Sequence, residues 1–326
     1  MHSHEYNIDK PALLRMAGSV LGGMAIWTLL LHTLGLAGIL PSPRPVTDVD
    51  STILIHQADA ARNLQGNALV LLGDSSCLMD VDASQLTEQL RISCLNLGTL
   101  SYLDLDAAGQ LLRLQATPPE EAPQHVVLLM HPEALRRAMA EEWMQRFLSD
   151  YLDGRLRPVT SAWLGRLQSW TGLATWKACV LDRFVSAPLS GAFGRQYGFC
   201  RQLEDYMKAH RGSALDPRAD PFAGSREYQL AASLEAKSRM FASTVPTGTV
   251  LSVGITPIPG GFAPEGYAAT HDEMLQTWAS WLGATHALRD LPESMPDRLF
   301  ATATHLNKEG VDHYTRMLAQ VLEGLK

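Results

Sequence analysis

The chain has 326 residues, 46% of them hydrophobic and 19% charged, and its 27 basic and 34 acidic side chains leave a formal net charge of −7. These figures exclude a disordered chain, a collagen-like chain and a small disulfide scaffold, and the length allows one large α/β domain or two small ones. The acidic balance, with no Lys/Arg-rich run and no zinc-finger spacing, argues against nucleic acid as a partner.

A mean hydropathy of −0.04 is high for a soluble enzyme, and the apolar excess is concentrated near the amino end. From Met16 to Pro43 there is no Asp, Glu, Lys or Arg. A helix over the first 25 of these residues would run about 37 Å, against a hydrocarbon core of about 30 Å. We read 1–11 as a cytoplasmic tail and 12–40 as a transmembrane signal anchor. Lys10 and Arg15, on the amino side of the uncharged run from Met16, favour a cytoplasmic amino end and a globular body on the extracytoplasmic, periplasmic side of the inner membrane. Gly35-Leu36-Ala37 has the small-x-small form of a cleavage site, but the apolar run is long for a signal peptide, so an uncleaved anchor is expected. Pro41, Pro43 and Pro45 then make 41–52 a stiff linker.

From 53 to 326, short apolar runs that stop at turn residues alternate with helical segments, the pattern of a parallel sheet built from βα units. Ala68 to Leu72 ends at Gly73, Ile92 to Leu97 at Gly98, His125 to Met130 at His131-Pro132, and Thr249 to Ile255 at Thr256-Pro257. Between them, Ala83 to Leu90 and Leu105 to Leu114 carry apolar residues at helical spacing. The rhythm breaks over about 141–226, an aromatic-rich stretch read as a mostly helical insertion, with its rings either stacking on sugars or forming a small core of their own. Asn307 is a good N-cap for a last helix whose apolar face is Val311, Tyr314, Leu318, Val321, Leu322 and Leu325. Four cysteines without C-x-x-C spacing give no zinc or thioredoxin-like centre. Cys77 and Cys94 read as buried, and Cys179 and Cys200 are free to pair outside the cytoplasm.

The sharpest local signal is Gly73-Asp74-Ser75, a strand that turns at a glycine and presents a serine at its carboxyl tip, where open α/β sheets bind ligands. A serine nucleophile needs a base and oxyanion donors. Gly98 offers a backbone N–H, and His305, in the loop before the last helix, offers the base. Asp74 reads as a turn former, Asp80, Asp82 and Glu133 as solvated, and His271 and His313 as surface histidines. No His/Asp/Glu set has metal spacing, and no cofactor is called for.

At these residues the chain resembles the SGNH hydrolase superfamily, also called GDSL-like hydrolases. Gly73-Asp74-Ser75 matches its first block and Asn96-Leu97-Gly98 its second, while Thr302-Ala303-Thr304-His305 matches only the histidine of its Asp-x-x-His block. The resemblance implies a flavodoxin-like three-layer α/β fold, with Ser75 as nucleophile, His305 as base, and Ser75 and Gly98 as oxyanion donors. Thr302 stands where the family has its acid, so His305 works either as a dyad or with Asp297 or Asp290 brought from elsewhere. The family's Gly-x-Asn-Asp block is absent, and His131 either takes the oxyanion role of its Asn or is an ordinary strand-end histidine.

A membrane-tethered domain of this kind is similar to the accessory proteins of polysaccharide and teichoic-acid acylation, including alginate O-acetylation. That resemblance implies an O-acyltransferase, usually O-acetyl, partnered by a multi-span membrane-bound O-acyltransferase and acting on an exported polysaccharide through an acyl-serine. An esterase of the same mechanism and a non-catalytic glycan-binding or assembly subunit are the alternatives.

Overall fold

A computed structural model describes residues 10–36, 49–101, 105–137, 142–155 and 227–325. They fall in two units. Helix α1 (Lys10–Leu36) belongs to the first. Its 27 residues reach about 40 Å, but Gly18, Ser19, Gly22, Gly23 and Thr33 dilute its apolar content. Among the described residues no helix is long and apolar enough to cross a membrane.

The second unit is α/β. It opens with α2 (Val49–Asn63), which begins inside the stretch expected to be linker. Strands β1 (Leu69–Gly73), β2 (Cys94–Asn96), β3 (His125–Met130), β4 (Val250–Ile255) and β6 (His286–Ala287) form one sheet in the order β2-β1-β3-β4-β6, every neighbouring pair parallel. A small parallel pair, β5 (Ile258–Pro259) with β7 (Ser294–Met295), lies outside it. The run Leu69-Val70-Leu71-Leu72 is buried throughout, as expected of a strand covered on both faces. Full burial stabilises by about 1.5–3 kcal/mol per side chain of this size.

The helices are α3 (Ser75–Asp80), α4 (Ala83–Leu90), α5 (Leu105–Gln115), α6 (Pro132–Arg137), α7 (Glu142–Leu152), α8 (Leu234–Ala242), α9 (Tyr267–Leu282) and α10 (Lys308–Glu323). From β1 the chain moves one way across the sheet to β2, then back past β1 to β3. Right-handed crossovers therefore put α3 and α4 on one face and α5 on the other. The packing agrees: α10 lies against α3 and α4, whereas α5 packs with α2 and α8, and α8 with α9. This order is compatible with a flavodoxin-like fold, whose ligand crevice opens at the carboxyl ends of β1 and β3, where the connections diverge.

Two caps fix the helices on the α10 side. Asp82 accepts from the N–H groups of Ser84 (2.9 Å) and Gln85 (3.1 Å) to start α4. Asn307 Oδ1 accepts from Gly310 N–H (3.0 Å) to start α10. Asp82 N–H in turn donates to Thr315 Oγ1 (3.1 Å), and Gln85 Nε2 to the Asp312 carbonyl (3.2 Å). These bonds hold the amino end of α10, and the His305 loop before it, against the first βα unit.

The strands expected at 68–72, 92–97, 125–130 and 249–255 are present within a residue or two of those bounds. So are the helices after Asp82 and Asn307 and the one beginning at Leu105. Of the expected insertion, α7 is helical. Residues 156–226, with Cys179 and Cys200, lie outside the described residues.

Candidate active site

The carboxyl tip of β1 is shaped by a glycine that nothing larger can replace. A Cβ on Gly73 would sit 1.7 Å from the Leu129 carbonyl oxygen and 2.8 Å from Cys77 Cβ, and its φ is +153°. The chain turns there, and Asp74 becomes the N-cap of α3. Asp74 is 1% exposed. Its Oδ1 accepts from Ser76 N–H (3.0 Å) and Ser76 Oγ–H (2.6 Å), and its Oδ2 from His131 N–H (3.0 Å). Thr256 Oγ–H donates to Ser76 Oγ (2.8 Å). A buried hydrogen-bonded chain thus ties the tips of β1, β3 and β4 together through one carboxylate. Ser75 is left half-buried on the first turn of α3, where its N–H has no intrahelical acceptor.

The second loop is built by Asn96. Its Nδ2 donates to the carbonyls of Cys77 (2.8 Å) and Val81 (3.0 Å), and its Oδ1 accepts from Gly98 N–H (2.8 Å). Gly98 passes so close to α3 that a Cβ would meet Leu78 N at 2.4 Å. The Gly98 N–H, expected as an oxyanion donor, is thereby directed to Asn96.

His131 ends β3 and is 4% exposed. Its Nδ1 accepts from Glu133 N–H (3.2 Å), so a neutral ring carries its proton on Nε2. Glu133, expected to be solvated, is buried and pairs with Arg136 (2.6 Å). His271 is also buried and not a surface residue, packed edge-on against Tyr267 with ring centroids 5.9 Å apart. His313 is exposed.

The loop before α10 brings His305 to α3. Thr302 Oγ1 accepts from Thr304 N–H (3.3 Å) and His305 N–H (3.1 Å), so the residue standing in the family's acid position closes a backbone turn. Asp297 Oδ1 accepts from Gly261 N–H (2.8 Å), in a different loop. The carboxylate that meets the imidazole is Asp80: its Oδ1 lies 3.9 Å from His305 Nδ1 and accepts from Leu306 N–H (3.0 Å). Asp80 is 2% exposed, contrary to its reading as solvated. The sequence signal was available, since Asp80 closes the apolar run Cys77-Leu78-Met79, where a solvated carboxylate has no place.

The electrostatics of α3 follow from burial. Desolvation, reinforced by the charge of Asp74, pushes the Asp80 carboxyl well above the ordinary carboxylate range, opposed by the Leu306 N–H bond. Asp74 is pushed up by the same desolvation, with its hydrogen bonds opposing. Burial raises the Cys77 thiol well above its ordinary value, which leaves it inert beside Ser75. Tyr314 of α10, also raised by burial, feels the charge of Asp80.

The arrangement places a half-buried serine at a helix start, a buried acid five residues on, and a histidine whose Nδ1 lies 3.9 Å from that acid. Chemically, such a set can activate a hydroxyl. Among the described residues no group of three metal-ligating side chains occurs. Compared with known proteins, the chain matches no family model, no curated protein and no solved structure.

Proposed function

We propose that the chain is a membrane-anchored, extracytoplasmic O-acyltransferase of SGNH type that transfers an acyl group, usually acetyl, to an exported polysaccharide through Ser75. The observation that carries this reading is the position of Ser75 on the first turn of α3, at the switch point of a parallel sheet, with His305 held against the same helix. In the first half-reaction Ser75 Oγ attacks the acyl carbonyl carbon while His305 takes the hydroxyl proton. The bond from that carbon to the donor's oxygen or sulfur breaks, and His305 returns the proton to the leaving group. A sugar hydroxyl then attacks the acyl-serine, His305 takes its proton, and Ser75 leaves with that proton restored. The donor is an activated acyl ester or thioester delivered by a multi-span membrane-bound O-acyltransferase.

Anchoring is supported by α1. Ten of the twelve large apolar side chains that stand exposed among the described residues lie on it, Leu14, Ile26 and Leu29 among them. Ser19 Oγ–H and Thr33 Oγ–H donate to the carbonyls of Arg15 (2.9 Å) and Leu29 (2.8 Å), so these polar groups need no water.

One observation favours a second reading, the non-catalytic glycan-binding or assembly subunit: the Gly98 N–H is taken up by Asn96, which leaves Ser75 N–H and His131 Nε2–H as the candidate oxyanion donors. The test is to produce Ser75→Ala and His305→Ala, verify equal amounts of full chain in the membrane fraction, and measure ester on the exported glycan. We expect both variants to lose it. Normal ester in both would overturn catalysis in favour of the subunit reading, and a gain would identify an esterase.

A further inference from the structure

We infer that Asp80, on the helix that Ser75 opens, is the positioning carboxylate of His305 and takes the place of the acid missing at Thr302. The inference rests on the reading of Ser75 and His305 as nucleophile and base. Two observations carry it.

The first is position. Asp80 Oδ1 faces His305 Nδ1 at 3.9 Å, the nitrogen distal to the one that must serve as base, and that nitrogen is shielded from solvent. The second is that the same oxygen accepts the N–H of Leu306, the residue following His305. The carboxylate therefore holds the backbone that carries the imidazole as well as facing the ring. Catalytic hydrogen bonds are often long before substrate binds, and a closure of about 1 Å makes this one a hydrogen bond.

The alternatives are otherwise engaged or, in the case of Asp290, exposed. Asp297 is bonded to Gly261, Asp74 to Ser76 and His131, and Thr302 to its own turn. The titratable groups around the pair are Asp74 and Cys77 on the α3 side and Tyr314 on α10. The thiol and the phenol are held neutral by burial, and among the described residues the charge that acts on Asp80 is that of Asp74. When His305 takes the Ser75 proton, the imidazolium forms beside Asp80 and neutralises a carboxylate that burial otherwise disfavours. The carboxylate itself gains no proton in the step.

The test is made on the full chain in detergent, labelled with 15N in histidine, with His305 resonances assigned by their loss in His305→Gln. In the wild type we expect the neutral ring to carry its proton on Nδ1. In Asp80→Asn the His305 titration midpoint should fall by about one unit, as expected on removing an adjacent opposite charge. Asp80→Glu should restore the midpoint in part. A neutral wild-type ring protonated on Nε2, or a midpoint that Asp80→Asn does not move, overturns the inference. The tautomer readout needs only the assignment variant His305→Gln to fold, and not Asp80→Asn. The readout is also independent of turnover: failure of a serine-directed phosphonate to label Ser75 would sink the enzymatic reading while leaving the Asp80–His305 pair standing.

Discussion

Asp80 illustrates how one side chain is set against stability by its surroundings. Its folded-state carboxyl is raised above the ordinary value, so the fold favours its neutral form. That contribution is fully present below the ordinary carboxylate range and is lost as pH rises through the raised value. Where the group is ionised it therefore weakens the fold. Asp80→Asn, which keeps an acceptor for Leu306 N–H, should stabilise the protein by about 0.5–2 kcal/mol at pH 8, with the gain shrinking towards pH 4, while transfer activity drops. Thermal unfolding of the two proteins across that range checks this, and a variant no more stable than wild type at pH 8 would contradict it. The same residue marks the limit of legibility in the sequence. Gly73, Asp74, Ser75, Asn96 and His305 stand out because each is tied to a turn or an element boundary. Asp80, Glu133 and His271 are less legible: beyond the apolar run Cys77-Leu78-Met79 before Asp80, nothing local tells which side of a helix a distant element will cover. In the fold α10, brought from more than 220 residues away, supplies the cover over Asp80.

Strands and helices were legible where burial imposes a period or a run. The four longer strands are mostly apolar stretches, interrupted at Asn96 and Ser252, that stop at Gly, His-Pro or Thr-Pro, and α4 and α10 begin at side chains that cap them. The short elements β5, β6 and β7, of two residues each, have no period to read. Helix α2 was masked by the proline-rich segment before it, and its place against α5 is set by tertiary packing. At the opposite end of the sheet from the site, β3 and β4 are joined by a side-chain bond, His125 Nε2 to Ser252 Oγ at 2.7 Å. Burial, with His286 nearby, pushes His125 down to about 4. Because the folded value lies below the ordinary imidazole value, the stability from keeping the ring neutral is present above about pH 6.5. It is lost as pH falls towards 4. His125→Gln, which retains a partner for Ser252, should lose less stability than wild type between pH 7 and pH 4.5 in urea unfolding. An equal loss in both proteins would assign the acid sensitivity elsewhere.

For the chain as a whole, the apolar excess divides between a helix that exposes it and a sheet that hides it. Helix α1 leaves large apolar side chains uncovered, whereas the α/β unit encloses its own in a parallel sheet with helices on both faces. That division underlies the proposed arrangement, an anchor carrying a catalytic unit on the outer side of a membrane, where a serine passes an acyl group to a glycan. Its central claim is that Ser75 is an activated nucleophile. The most direct test is the intact mass of the full chain in detergent after exposure to a serine-reactive fluorophosphonate. The account predicts a single adduct located on Ser75, absent from Ser75→Ala and slow to form in His305→Ala. No adduct on the wild type, or one that survives in Ser75→Ala, would contradict it.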